Sequence, residues 1–131
     1  MAPLPRPALW RRFAGAHALL CPSNADESFG LVAAEAQAAG TPVVAFARGA
    51  LIEVVQDGVT GAVVPAGDVR AAAAAVARIE TIDRARCRQH AVEDLGLEAC
   101  LTGYDALYAE VVADRRRPGS RRPSASLAAG G

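Results

Sequence analysis

Two carboxylates eight residues apart, Glu27 and Glu35, bracket the stretch of this chain best equipped for chemistry. Between them run Ser28, Phe29, Gly30 and Leu31, followed by good helix formers. The pattern reads as a loop that delivers Glu27 to the mouth of a helix. Gly30 in the first turn lets another molecule approach the backbone closely. The free N–H groups of a helix start, together with the macrodipole, favour an anion there. At 100° per residue, Glu35 would stand about 80° round the helix from Glu27, so the two acids would not share one patch of helix surface. They suit two ends of one elongated ligand with phosphates over the turn between them. A nucleotide diphosphate-sugar has that layout: ribose, two phosphates, sugar.

Several elements must hold this stretch in place. The run His17–Cys21, ended by Pro22-Ser23, reads as a buried strand, and Ala8–Ala14 as a short helix before it. The helix after the polar loop is predicted from Ser28 or Phe29 to Ala39, with Gly40 as its C′ residue and Pro42 as a stop. Pro42–Phe46 is short, apolar and rich in valine, as a parallel strand buried on both sides should be. Leu51–Gln56 gives about two helical turns. Asp57-Gly58 and Thr60-Gly61 are turn signals, and Ala62–Val64 is a third strand. Asp68 is placed to cap a helix running to about Ile79. Thr81 or Asp83 caps the next, ending near Val92. Leu101, Tyr104, Leu107, Tyr108 and Val111 recur at helical spacing within a last helix, Leu97–Val112. Alternating strand and helix predict an α/β fold with a parallel sheet. Three strands make a small sheet whose first strand would leave an apolar edge unpaired, a sign that the chain is part of something larger.

Bulk properties narrow the function further. With 131 residues the chain fits one domain. All 14 basic residues are Arg and balance 14 acids, but unevenly. From Asp114 to Gly131 there are five Arg and one Asp, net +4, which leaves nine Arg against thirteen acids, net −4, in residues 1–113. A mildly acidic body argues against nucleic-acid binding by a basic face. The Arg-, Pro-, Ser- and Gly-rich end reads as a disordered, solvated tail, through which alone contact with a membrane would come. Cys21, Cys87 and Cys100 are odd in number and form no C-x-x-C pair. No disulfide framework or zinc site is expected, and a reducing cytoplasm is the simple inference. No apolar run approaches the length of a membrane span. Met1–Pro7, with three prolines, lacks the apolar core of a secretory signal.

Glu27, Glu35 and the run that follows them, ending in Gly40-Thr41-Pro42-Val43-Val44-Ala45, resemble the retaining glycosyltransferases of family 4, which have a GT-B fold. The likeness continues through Gly49–Gly61, with Glu53-Val54-Val55-Gln56-Asp57-Gly58-Val59-Thr60-Gly61, and covers roughly residues 9–112. It implies a partial Rossmann-like sheet, half of a GT-B C-terminal domain, followed by C-terminal helices. The organisation expected is an irregular lead-in (1–8), a partial donor-binding domain (9–113) and the tail (114–131). The resemblance makes Glu27 the catalytic residue, contacting hydroxyls of the donor sugar. It makes Ser28, Phe29, Gly30, Leu31 and Glu35 the donor-binding set. Backbone amides of Phe29–Leu31 would meet the diphosphate, and Glu35 the ribose hydroxyls. No metal or other cofactor is implied; the nucleotide diphosphate-sugar is a substrate.

Such enzymes also have an N-terminal acceptor-binding domain, and an early part of the C-terminal domain that supplies Arg and Lys to clamp the diphosphate. Neither can be aligned here, so the acceptor-binding domain is expected on another chain, if anywhere, and this chain is expected to be inactive alone. The alternatives are a non-catalytic module that binds a nucleotide or a protein, and a non-functional truncated gene product. Other residues read as structural. Gly40-Thr41-Pro42 is helix-stop and strand-start chemistry, and Gly49 is a turn. His17 and His90 have no carboxylate at a telling spacing.

Overall fold

The computed structural model describes residues 5–115. Helix α1 (Arg6–Gly15) precedes strand β1 (Leu19–Cys21). Then come α2 (Leu31–Ala38), β2 (Val43–Phe46), α3 (Leu51–Val54) and β3 (Gly61–Val64). Helix α4 (Val69–Arg78) runs into a short 3-10 helix (Ile79–Thr81), followed by α5 (Arg84–Glu93) and α6 (Leu97–Arg115). The three strands form a parallel sheet in the order β1-β2-β3. The expected α/β architecture with C-terminal helices is therefore the observed one.

Strand β2 is buried along its whole length. Its side chains alternate between the two faces of the sheet, as strand geometry requires. Val43 and Ala45 join Phe13 of α1, Ala33 and Ala36 of α2, and Leu51 and Val54 of α3 in one apolar cluster. Val44 and Phe46 join Val64, Ala75 and Ile79 in another. Helices thus cover both faces. Ala33 and Ala36 are wholly buried, and their small size lets α2 lie close on the sheet.

Polar contacts tie the outer helix to this body. Arg84, at the start of α5, donates to the carbonyls of Ala14 (2.8 Å) and Ala16 (2.9 Å), where α1 ends. A cation at a helix C-terminus meets both the orphan carbonyls and the negative end of the dipole. The carbonyl of Val54, which closes α3, accepts from Gln37 Nε2 at 3.0 Å and lies 3.1 Å from His90 Nε2. One carbonyl therefore joins α2, α3 and α5. His90 does have a carboxylate partner: Asp94, one helical turn on, with Oδ2 2.6 Å from Nδ1. Its role is structural nevertheless, because both ring nitrogens are engaged.

Several boundaries differ from the sequence reading. Arg6, Pro7 and Ala8 are helical, since proline is tolerated in a first turn, where its missing N–H is no loss. Helix α2 starts at Leu31, not at Ser28 or Phe29, because Gly30 takes a left-handed conformation (φ 81°) and ends the helix there. Asp68 and Asp83 do cap α4 and α5, accepting from Ala71 N and Ala85 N at 2.8 Å each. Helix α6 runs to Arg115, but the spacing of its apolar residues does not mark a buried face: none of its residues is buried. Strand β1 lies at a sheet edge as expected, with Leu20 54% exposed. No helix among the described residues is long and apolar enough to cross a membrane. The expected tail beyond Arg115, with Arg116, Arg117, Arg121 and Arg122, lies outside the described residues.

Gly61 sits opposite Val43 in the sheet, and a Cβ there would collide with the Val43 carbonyl oxygen and the atoms bonded to it. Gly61→Ala should destabilise the chain by roughly 3 kcal/mol, as overpacking against backbone does. Urea denaturation followed by circular dichroism would measure it.

Candidate functional site

The carboxyl ends of parallel strands point one way, so the loops that leave them gather at one end of the sheet. Residues 22–30 leave β1 and residues 47–50 leave β2. The two loops are pinned together: Ala50 N donates to Glu27 O at 2.8 Å. Gly49 makes this possible. Its φ is +50°, and a Cβ would run into the backbone O and N of Glu27. Gly49 is thus more than a turn residue, because it seats the loop that carries Glu27. The only sequence signal was its place after the second strand.

Gly30 forms the second support. It is the N-cap residue of α2, has φ 81°, and contributes no side-chain cap. A Cβ on it would lie 3.0 Å from Leu51 Cδ2 and 3.8 Å from Glu27 Cγ. The helix mouth therefore rests on the first residue of α3, with the Glu27 side chain beside it. Ala33 N and Ala34 N both bond back to Gly30 O, at 2.9 and 3.1 Å. Among the described residues no side chain makes a cap hydrogen bond at this mouth.

Glu27 and Ser28 are exposed, as are Phe29 (45%) and Leu31 (67%). Glu35 faces another way, toward α1, where Arg6 Nη2 lies 3.1 Å from its Oε1. The partner pair, 29 residues apart, could not be read from spacing. Phe29, Leu31 and Glu35 share one wall of a groove of about 700 Å³, with Trp10 of α1 and Leu97 and Tyr104 of α6 around it. Glu27, Ser28 and Gly30 do not line that groove, and the Glu27 backbone lies against Gly49 instead. The two acids thus flank the helix mouth on different sides.

The charge of Glu27 is felt inside the fold. Burial pushes the Cys21 thiol above the ordinary cysteine range, and the Glu27 carboxylate pushes it further. Burial also raises Cys87, although Arg84 works the other way. All three cysteines are unpaired, and only Cys100 is exposed.

The family model for glycosyl transferases group 1 matches residues 3–94. The chain belongs to that family. A D-inositol 3-phosphate glycosyltransferase of Mycolicibacterium gilvum is 38% identical over 134 aligned positions, covering 92% of this chain and 30% of that protein. One from Kribbella flavida is 53% identical over 81 residues, covering 60% of this chain and 18% of its own length. Among solved structures, sucrose-phosphate synthase of Thermosynechococcus elongatus superposes with a TM-score of 0.66 at 35% identity, over 86% of this chain and 30% of that one. Anabaena HepE in complex with UDP gives 0.59 at 25% identity, over 77% of this chain and 28% of its own. The chain spans less than a third of the length of each of these proteins.

Thiolate, not thiol, reacts with disulfide reagents, so burial and a raised pKa both slow the reaction. In the folded chain a coloured disulfide reagent should titrate Cys100 rapidly and leave Cys21 and Cys87 until denaturant is added. Removing the negative charge in Glu27→Gln should speed the reaction of Cys21 alone. Mass mapping of labelled peptides over time would check both.

Proposed function

We propose that this chain is the donor-binding part of a retaining glycosyltransferase that moves a hexosyl group from a nucleotide diphosphate-sugar. The observation that carries the reading is the mouth of α2: a helix start with a left-handed glycine and no side-chain cap, flanked on separate sides by Glu27 and Glu35. The family membership and the similarity to the structure of Anabaena HepE in complex with UDP support it.

On this reading Glu27 orients hydroxyls of the donor sugar, and Ser28 stands next to it on the same loop. The amides at Phe29, Gly30 and Leu31 meet the diphosphate, and Glu35 holds the ribose hydroxyls. The bond between the sugar's anomeric carbon and the phosphate oxygen breaks, its electron pair leaving on the diphosphate. The acceptor oxygen bonds to the same face of the sugar, and its proton passes to the departing phosphate. The protein's share is positioning, and stabilisation of the charge that develops on the phosphates. No metal is assigned a part.

The acceptor site is assigned to the part of the relatives that this chain does not match, and the chain alone is proposed to bind nucleotide without turning it over. The unpaired cysteines support a cytoplasmic setting.

Arg6 now occupies Glu35, so a ribose would compete with an exposed ion pair, which is a weak competitor. Titration calorimetry with nucleoside diphosphates should show binding to the 131-residue chain. Glu35→Ala should weaken it by about tenfold or more, the loss expected for a charged hydrogen bond. Equal affinity of the variant would remove Glu35 from the site, and transfer of labelled sugar by the chain alone would disprove its inactivity.

A further inference from the structure

Helix α6 presents an apolar stripe to solvent, since none of its residues is buried. At 100° per residue, Leu97, Leu101, Tyr104, Leu107, Tyr108 and Val111 fall within an arc of about 120°, and Arg115 ends the stripe. A stripe of that width is what a helix lays against a partner surface. Glu98 and Asp105 lie beyond one edge of it, and Glu110 and Asp114 beyond the other. The stripe runs on into the groove, where Leu97, Tyr104 and Leu107 line the same space as Trp10, Phe29 and Leu31.

The size of this face decides whether it calls for a partner. Taking about 200 Å² for a large apolar side chain, the exposed parts of these residues come to roughly 900 Å². The largest contiguous apolar patch on a lone soluble chain is about 300–600 Å². A stable pair of proteins buries about 800 Å² on each side. The face is therefore large enough to hold a protein partner by itself.

Charge selects the partner. Helix α6 carries four acids (Glu98, Asp105, Glu110 and Asp114) against Arg115, a net −3. Helix α1 borders the same groove through Trp10 and carries Arg6, Arg11 and Arg12 with no acid, a net +3. All of these charged residues are exposed. One rim of the face thus has the sign that the other rim attracts. In a two-fold pair each contact occurs twice, with the roles of the copies exchanged. Laying α6 of each copy on α1 of the other makes both rims favourable at once, whereas α6 on α6 would set acid against acid. Rim charges of this kind fix register and choice of partner, and the apolar stripe supplies the strength.

We propose that this face is where two copies of the chain pair, about a two-fold axis, with the stripe of α6 from each copy seated over the groove and α1 of the other. Glu27, Ser28 and Gly30 do not line the groove, so the pairing leaves that side of the α2 mouth uncovered. It needs no nucleotide and stands apart from the donor-binding reading.

Sedimentation equilibrium and light scattering test it on the 131-residue chain without nucleotide, over a wide range of concentration. The chain should be a monomer when dilute and a dimer when concentrated, and amide exchange along α6 should slow as the dimer forms. Tyr104→Arg, checked for folding by circular dichroism, should weaken the dimer by about tenfold or more, as loss of a central aromatic does. Arg11→Glu with Arg12→Glu should also weaken it. A compensating reversal on α6, Glu98→Arg with Asp105→Arg or Glu110→Arg with Asp114→Arg, should restore it. A chain that stays monomeric at every concentration overturns the proposal, as do aggregates that grow past the dimer. A dimer indifferent to Tyr104→Arg lies on another face and overturns it too. A dimer that Tyr104→Arg breaks but the charge reversals leave unchanged overturns the seating of α6 on α1.

Discussion

Strand β2 is the constraint on which the rest of the molecule depends. Being buried on both faces, it fixes which side chains can face each helical layer, and its parallel neighbours must follow its direction. Parallel pairing sends the loops after β1 and β2 to the same end of the sheet. The approach of those loops then becomes a matter of a few ångströms, settled by Gly49 against the backbone of Glu27 and by the bond from Ala50. A side chain at position 49 would push the loops apart, and the acid on the first loop would lose its footing.

The helix mouth is a polar feature built on an apolar support. Gly30 can take its left-handed turn because it has no Cβ, and Leu51 packs into the space where a side chain would go. That turn sets the start of α2 three residues beyond Ser28 and leaves Ser28 and Phe29 on the loop. The consequence is electrostatic as well as geometric. The start of α2 has no side-chain cap, and the Glu27 and Glu35 carboxylates sit on different sides of it. On the proposed reading, the mouth would meet the charged middle of the ligand and the two acids its polyol ends.

Much of this was legible in the chain itself, for physical reasons that can be named. Local signals worked: Gly40 takes the left-handed C′ conformation, Asp68 and Asp83 cap their helices, and short apolar runs became the parallel strands. Contacts between residues far apart in sequence were not readable. The ion pair of Arg6 with Glu35, the seating of Gly49 and the burial of Gln37 under Val54 all depend on the packed fold. Asp94 is a different case, because its spacing of four from His90 was open to inspection. The start of α2 was misplaced because glycine is compatible with both a first helical turn and a left-handed cap. The apolar spacing of α6 gave the helix, and left its surroundings open, since periodicity reports a face and not what lies against it.

That last helix carries a consequence for how the molecule comes apart. Nineteen residues rise about 28 Å at 1.5 Å per residue, yet none is buried. Helices in water owe most of their persistence to a packed face rather than to propensity. Leu101, Tyr104 and Val111 lack that backing, so α6 can fray from its far end at little free-energy cost while the sheet and its helices stay intact. Amide exchange in this chain is therefore expected in two tiers, a fast one along α6 and a slow one centred on β2.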